Sequence, residues 1–168
     1  IQRFLDFGVN GIIFSKVENA KEFEQILRKI YYPPKGTRGY GYCIENNYGK
    51  KKVLPSDLVF KPLSVAMIET VNGIKNLNNI SKIKNLDAIF IGPYDLSISL
   101  GIPGQFNNKK FINALKKIIL ICKKNNKPIG IHIVEPNQKE LKKRIAQGFN
   151  FVAYSMDTVC LNNNLKKP

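Results

Sequence analysis

An unbroken apolar run, Ala88-Ile89-Phe90-Ile91, stops at Gly92-Pro93, and that stop constrains the fold more than any other feature of the chain. Four apolar residues in a row, with no alternation, fit a strand buried on both faces, as in a parallel sheet. Gly92 permits a close backbone approach that a side chain would forbid. Pro93 donates no amide hydrogen and ends the ladder. Asp95 follows within the segment LDAIFIGPYDLSISL, just past the C-terminal end of the strand, where α/β enzymes place their chemistry. An aspartate after Gly-Pro also commonly caps a turn, and from this stretch alone both roles stand.

The same punctuation recurs along the chain. Gly11–Phe14, Ser64–Ile68, Pro128–Ile133 and Phe151–Tyr154 also read as short apolar strands. Between them lie helical patterns. Ile1–Phe7 is the end of a helix stopped by Gly8, and Asn19 caps a helix to about Ile30 with Glu22 as its capping-box partner. A third helix spans about Gly73 to Lys84, a fourth Asn108 to Asn125, and a fifth runs from its cap Asn137 to Gln147, stopped by Gly148. Asn46–Leu63 is polar and irregular, with room for a short helix, and the residues after Asp157 read as a polar tail. Strand and helix alternate, which argues for a parallel sheet with helical crossovers and an α/β fold. The chain has 168 residues. A complete (β/α)8 barrel needs roughly 200 or more. Five strands therefore fit either a small open sheet or the later part of a barrel whose first strands lie upstream of Ile1. The chain opens inside a helical pattern and without an initiator Met, so it reads as a segment of a longer protein.

The formal net charge of +15 raises the question of nucleic acid. The basic residues sit in small scattered clusters, such as Lys50-Lys51-Lys52 and Lys142-Lys143-Arg144, with no aromatic-studded stripe, and are read as solvated surface. No nucleic-acid partner is expected. No apolar run reaches membrane-spanning length, so no membrane partner is expected either. Cys43, Cys122 and Cys160 are odd in number and form no C-x-x-C, which indicates neither a disulfide framework nor a zinc site. Cys122 lies in an apolar helical run and belongs to the core. A reducing cytoplasm is the default location. The Gly-rich loop YYPPKGTRGYGY, Tyr31–Tyr42, lacks the Gly-Lys-Ser/Thr of a phosphate loop. Its Arg38 is the one side chain there that could serve a carboxylate, against the commoner role of a loop-stabilising or surface arginine.

Two acids occupy equivalent places. Glu69 ends one strand and Asp95 follows the next, about 26 residues on, a normal strand-helix-strand repeat. Parallel neighbours lie roughly 4.8 Å apart, so both carboxylates could converge above the sheet. Like charges that close repel unless a proton or cation intervenes. Oxygen-only ligation by few protein ligands suits magnesium or manganese, with water or substrate completing an octahedron; cobalt or zinc are the substitutes. Two unrelated polar residues at strand ends is the alternative. The only histidine, His132, sits inside the strand PIGIHI and reads as a packed residue before a pocket residue.

YPPKGTRGYG, the strand-end MIET, DAIFIGPYDLSISLG, GIHIVEP and the final FVAYSMD together resemble the HpcH/HpaI aldolase family, metal-dependent class II aldolases of 2-keto acids related to citrate lyase β subunits. The likeness covers nearly the whole chain. It implies a (β/α)8 TIM barrel, present here as a single domain lacking the first strands, the C-terminal two-thirds of the barrel. It implies Glu69 and Asp95 as ligands of Mg2+ or Mn2+. Backbone around Gly92, Pro93 and Tyr94 would bind substrate, with amides near Gly92, Tyr94 and Asp95 holding its carboxylate. The implied reaction is retro-aldol cleavage of a 2-keto acid to pyruvate, through a metal-stabilised enolate, and an aldehyde. The full-length protein would be a homo-oligomer, a trimer of dimers. The position before Asp95 is often small in this family, so Tyr94 alters the pocket shape and the aldehyde partner. The family's catalytic histidine and arginine lie before the region matching Ile1. His132 does not stand in for that histidine, and residues 1–168 alone are expected to be inactive. The rival readings are a citrate-lyase- or malyl-CoA-lyase-like enzyme splitting a CoA thioester, and a non-catalytic keto-acid-binding remnant.

Overall fold

The computed structural model describes residues 1–50 and 61–165. The irregular stretch read over Asn46–Leu63, and most of the Lys50–Lys52 cluster, fall largely on 51–60, outside the described residues. The elements in order are α1 (Gln2–Asp6), β1 (Gly11–Phe14), α2 (Ala20–Arg28), β2 (Leu63–Ile68), α3 (Val71–Ile80), β3 (Ala88–Ile91), α4 (Pro93–Ser99), α5 (Lys109–Lys124), β4 (Ile129–Ile133), α6 (Gln138–Ala146), β5 (Phe151–Tyr154) and α7 (Asp157–Asn164). A 3₁₀ turn at Ile44–Asn46 interrupts the segment after α2.

The five strands are parallel and lie side by side in chain order, β1-β2-β3-β4-β5. Every crossover returns to the adjacent strand and the order never reverses. A doubly wound sheet reverses at a switch point, whereas a (β/α)8 wall does not. The two faces of the sheet differ accordingly. Ala66, Ile68, Ile89, Ile91, Ile129 and Ile131 join one core with Leu27, Leu77, Phe111 and Ile118 of the helices. The alternate residues, Val65, Ala88 and Phe90 with Met67, Phe151 and Ala153, form a second, smaller apolar layer on the other face. Phe151 stacks on Phe90 with ring centroids 5.5 Å apart. Its ring also covers Gly130, where an added Cβ would meet Phe151 at 2.3 Å. This is an α/β half-barrel, helices outside and a side-chain-filled concave face within.

β3 is buried at all four positions, as its unbroken apolar run requires. Asn19 caps α2 by accepting from the Lys21 and Glu22 amides; among the described residues Glu22 makes no return bond, so only half of the expected box forms. Three elements differ from the sequence reading. α3 begins at Val71, because Thr70 caps it by accepting the Gly73 amide at 3.0 Å. Pro93 does not merely end a strand: it opens the helix α4 at its first position, where its missing N–H has no intrahelical acceptor to lose. The polar tail after Asp157 forms α7, a helix with no buried residue and therefore no apolar stripe to betray it. Cys122 is fully buried, and burial pushes its thiol up to about 12, with Lys127 opposing. Cys43 is buried and Cys160 exposed; all three are free. Among the described residues, no helix is long and apolar enough to cross a membrane.

Asp87 ties the lower ends of β2 and β3 together. Its Oδ2 accepts the Ser64 amide at 2.9 Å, its Oδ1 accepts from Lys61 Nζ at 2.9 Å, and its own amide donates to the Ser64 carbonyl. Burial alone would raise its pKa, but Lys61 and Ser64 outweigh burial and hold it below the usual carboxylate range. A carboxylate with a depressed folded-state pKa contributes stability that is present above its unfolded value and lost as pH falls through the folded one. Asp87→Asn is expected to lose roughly 1–2 kcal/mol at pH 7, mostly one charge-assisted hydrogen bond, since the exposed Lys61 adds little. The variant should also show a shallower loss of stability below about pH 4. Urea melts at pH 7 and pH 3 check this; parallel acid limbs in the two proteins would count against it.

Candidate active site

Ile68 of β2 pairs in register with Ile91 of β3. The next residues, Glu69 and Gly92, therefore leave adjacent strands at the same rim. Strand alternation turns both toward the concave face that carries Met67 and Phe90, away from the helices. Glu69 is buried, at 5% exposure. Its Oε1 accepts the backbone N–H of Lys16, in the loop after β1, at 2.8 Å. Its Oε2 lies against Gly92: a Cβ added there would sit 2.6 Å from Oε2 and 3.1 Å from the Glu69 Cβ. The close approach, not a left-handed torsion, is what requires glycine at 92. Among the described residues, Oε2 accepts no hydrogen bond.

Asp95 lies in the first turn of α4 and is exposed. Burial holds the Glu69 carboxyl above the usual carboxylate range, and the negative charge of Asp95 adds to this against the Lys16 amide. Two acids thus share one rim, the inner one desolvated and the outer one open to solvent. The amides of Tyr94 and Asp95 belong to the first turn of α4 and have no intrahelical acceptor. Pro93 is buried. Tyr94 is 43% exposed and meets Phe106 edge-on with centroids 5.0 Å apart. Pro93 and Tyr94 line a cleft of about 270 Å³ with Phe106, Phe111, His132 and Glu135. Neither acid lines that cleft. Glu69, Gly92 and Asp95 come together at the rim, while Tyr94 points to the neighbouring cleft.

His132 stands in the same row of the sheet as Glu69 and Gly92, since Ile131 pairs with Ile91 and His132 itself with Ala153. Its ring is half-buried, and Nε2 lies 3.2 Å from the Ser155 carbonyl, an acceptor that fixes Nε2 as the protonated nitrogen. Arg38 is elsewhere. It is 3% exposed, its guanidinium pairs with Asp6 at 2.8 Å and Glu45 at 2.7 Å, and it stacks over the Tyr32 ring. Arg38 is therefore the loop-stabilising arginine of the two readings, and not a surface one.

The donors at the rim suit a hard divalent cation. They are carboxylate oxygens only, one of them held but not satisfied by protein. Among the described residues no third His, Cys, Asp or Glu gathers with two others to close a protein-only cage. Few protein ligands is the pattern of magnesium-type sites, which keep water or substrate in the remaining positions. The Lys16 amide was not foreseeable from side-chain types, because it is backbone. Thr70 as a helix cap directly after Glu69 was within reach of the capping rules.

Residues 1–164 match the model of the HpcH/HpaI aldolase/citrate lyase family. The hydroxypyruvate/pyruvate aldolase of Roseobacter denitrificans is 30% identical over 99% of this chain and 65% of that protein. The 4-hydroxy-2-oxo-heptane-1,7-dioate aldolase of Escherichia coli is 30% identical over 96% of this chain and 62% of that protein. The crystal structure of an HpcH/HpaI aldolase from Desulfitobacterium hafniense superimposes with a TM-score of 0.85 at 24% identity, covering 97% of this chain and 63% of that one. The chain thus spans 62–65% of the length of these curated relatives. With the strand order of a barrel wall and this match along all but its last few residues, the chain belongs to the HpcH/HpaI aldolase/citrate lyase family.

Proposed function

We propose that this chain carries the cation-binding part of a carbon–carbon lyase that acts on 2-keto acids, with Glu69 and Asp95 as the protein ligands of Mg2+ or Mn2+. One observation carries the reading: Glu69 is buried and aimed, with Oε1 tied to the Lys16 amide, while Oε2 has no hydrogen-bond partner among the described residues, at the rim where Asp95 stands. An anionic oxygen with no protein donor to give up can bind a hard cation without breaking a hydrogen bond. When bound, such a cation acts as a Lewis acid toward a keto oxygen. Gly92 leaves room for the Glu69 carboxylate to lie against the backbone. The Tyr94 and Asp95 amides receive its carboxylate as charge-assisted donors. The Tyr94 ring, braced by Phe106, faces the adjoining cleft, so Tyr94 meets the substrate through its backbone amide. The relatives named as aldolases of pyruvate and of a 4-hydroxy-2-oxo acid support the substrate class.

Isothermal titration of pyruvate with and without Mn2+ tests the proposal in the full-length protein. Saturable pyruvate binding that requires Mn2+ is expected. Pyruvate binding of equal strength in excess chelator would remove the cation from the reading.

A further inference from the structure

We infer that Glu18 is a positioning residue for Glu69, acting through a latch that fixes the loop after β1 on the end of β2. The inference rests on the reading of Glu69 as a cation ligand. It starts from a backbone outlier: Lys16 adopts φ 51°, in the left-handed region. A non-glycine residue there is strained and persists where its surroundings hold it. The conformation aims the Lys16 N–H at Glu69 Oε1, 2.8 Å away.

Four contacts hold the loop in place. The Val17 amide donates to the Met67 carbonyl at 3.2 Å, and Val17 is buried. The Thr70 hydroxyl donates to Glu18 Oε1 at 2.5 Å. Asn76 Nδ2 donates to the Glu18 carbonyl at 2.8 Å. Gly73 lets α3 come close, because a Cβ there would meet the Val17 carbonyl at 2.9 Å. Thr70 follows Glu69 directly, and Glu18 lies two residues after Lys16. The two hydrogen bonds, Lys16 to Glu69 and Thr70 to Glu18, therefore close a small ring between the ends of β1 and β2. Opening it at Glu18 frees the loop to relax Lys16 out of its strained torsion. The amide then turns away, and Glu69 loses the contact that keeps Oε2 facing Gly92. Thr70 keeps its other partner, the Gly73 amide, so α3 stays capped.

The test is Mn2+ affinity by titration calorimetry in the full-length protein, with melting temperatures recorded alongside. Glu18→Ala is expected to bind Mn2+ about 10-fold more weakly, at the lower end for a residue that orients a ligand, and Glu18→Gln, whose amide oxygen still accepts the Thr70 hydroxyl, within about threefold of wild type. Equal affinity of Glu18→Ala and wild type would overturn the inference. Equal losses in Glu18→Ala and Glu18→Gln would overturn it too, since Glu18 would then act by its charge. If Glu18→Ala melts below the measuring temperature, Thr70→Ser and Thr70→Val carry the comparison: Ser should bind as wild type and Val about 10-fold more weakly, and equal values would overturn the inference. Failure of the wild type to bind Mn2+ would bring down the cation site itself. An Asp95→Asn loss without a Glu18→Ala loss would remove the latch alone.

Discussion

Mn2+ is expected to bind Glu69→Gln and Asp95→Asn more than about 100-fold less tightly than the wild type, beyond the range of residues that only support a ligand. Each substitution removes one of two anionic oxygen donors from a site where hard cations depend on charge. Both replacements keep the side-chain shape, so the rim geometry survives. Stability should move differently. The carboxyl of Glu69 is held above the usual carboxylate range, chiefly by burial, so the charged form is disfavoured in the folded protein. For an acid with a raised folded-state pKa, stability falls as pH rises from the unfolded value through the folded one. At pH 7 without metal, the neutral Glu69→Gln side chain escapes that penalty, and this variant should melt no lower than the wild type. Lost affinity with retained stability is the signature of a residue kept for function. Gly92→Ala should weaken binding by the same route and to a smaller extent, because its Cβ would arrive 2.6 Å from Glu69 Oε2. Calorimetric titration of Mn2+ into the three variants decides the matter. A Glu69→Gln protein that still bound within about tenfold of wild type would remove Glu69 from the ligand set.

Those parts of the molecule where one residue type has one physical use were legible in the sequence. The apolar quartet 88–91 fits a strand buried on both faces, and it is one. Asn19, Asn108 and Asn137 accept amides at three helix starts, as their side chains favour. Glu69 and Asp95 stand out in the sequence as acids just past two successive strands, and their shared rim follows from parallel pairing of β2 with β3. What escaped was context. α4 is seven residues long and α7 buries none of its side chains, so neither shows an apolar stripe. Arg38 reads in the sequence as a loop-stabilising or surface arginine before a substrate one, but its partners Asp6 and Glu45 are distant in sequence and approach it only in the fold. The hold on Glu69 escaped for a different reason: it comes from the Lys16 amide, which every non-proline residue possesses, so no letter of the sequence marks it.

Arg38→Met is expected to destabilise the protein by about 3–5 kcal/mol, the range for removing one member of a buried ion pair. The guanidinium is nearly inaccessible and faces two acids, Asp6 at 2.8 Å and Glu45 at 2.7 Å, of which Glu45 has a side chain only 5% exposed. Burial alone would lower the arginine pKa, but Asp6, Glu45 and Tyr32 outweigh it and the pKa is raised, so the cation is well held. Methionine fills a similar volume yet leaves the Glu45 carboxylate buried beside Tyr32 with no cation. One Glu45 oxygen already lacks a hydrogen-bond partner among the described residues, so it has little left to compensate. For a chain of this length the loss corresponds to a melting point lower by roughly 6–20 °C. The double variant Arg38→Met/Glu45→Gln should recover much of it, because the stranded charge and not the lost attraction is the main penalty. Thermal melts of the two variants separate this role from substrate binding. A substrate arginine would leave the melting point within about 2–4 °C of wild type, the shift of a single kcal/mol, and would weaken only keto-acid binding. That outcome would return Arg38 to the list of carboxylate-binding candidates.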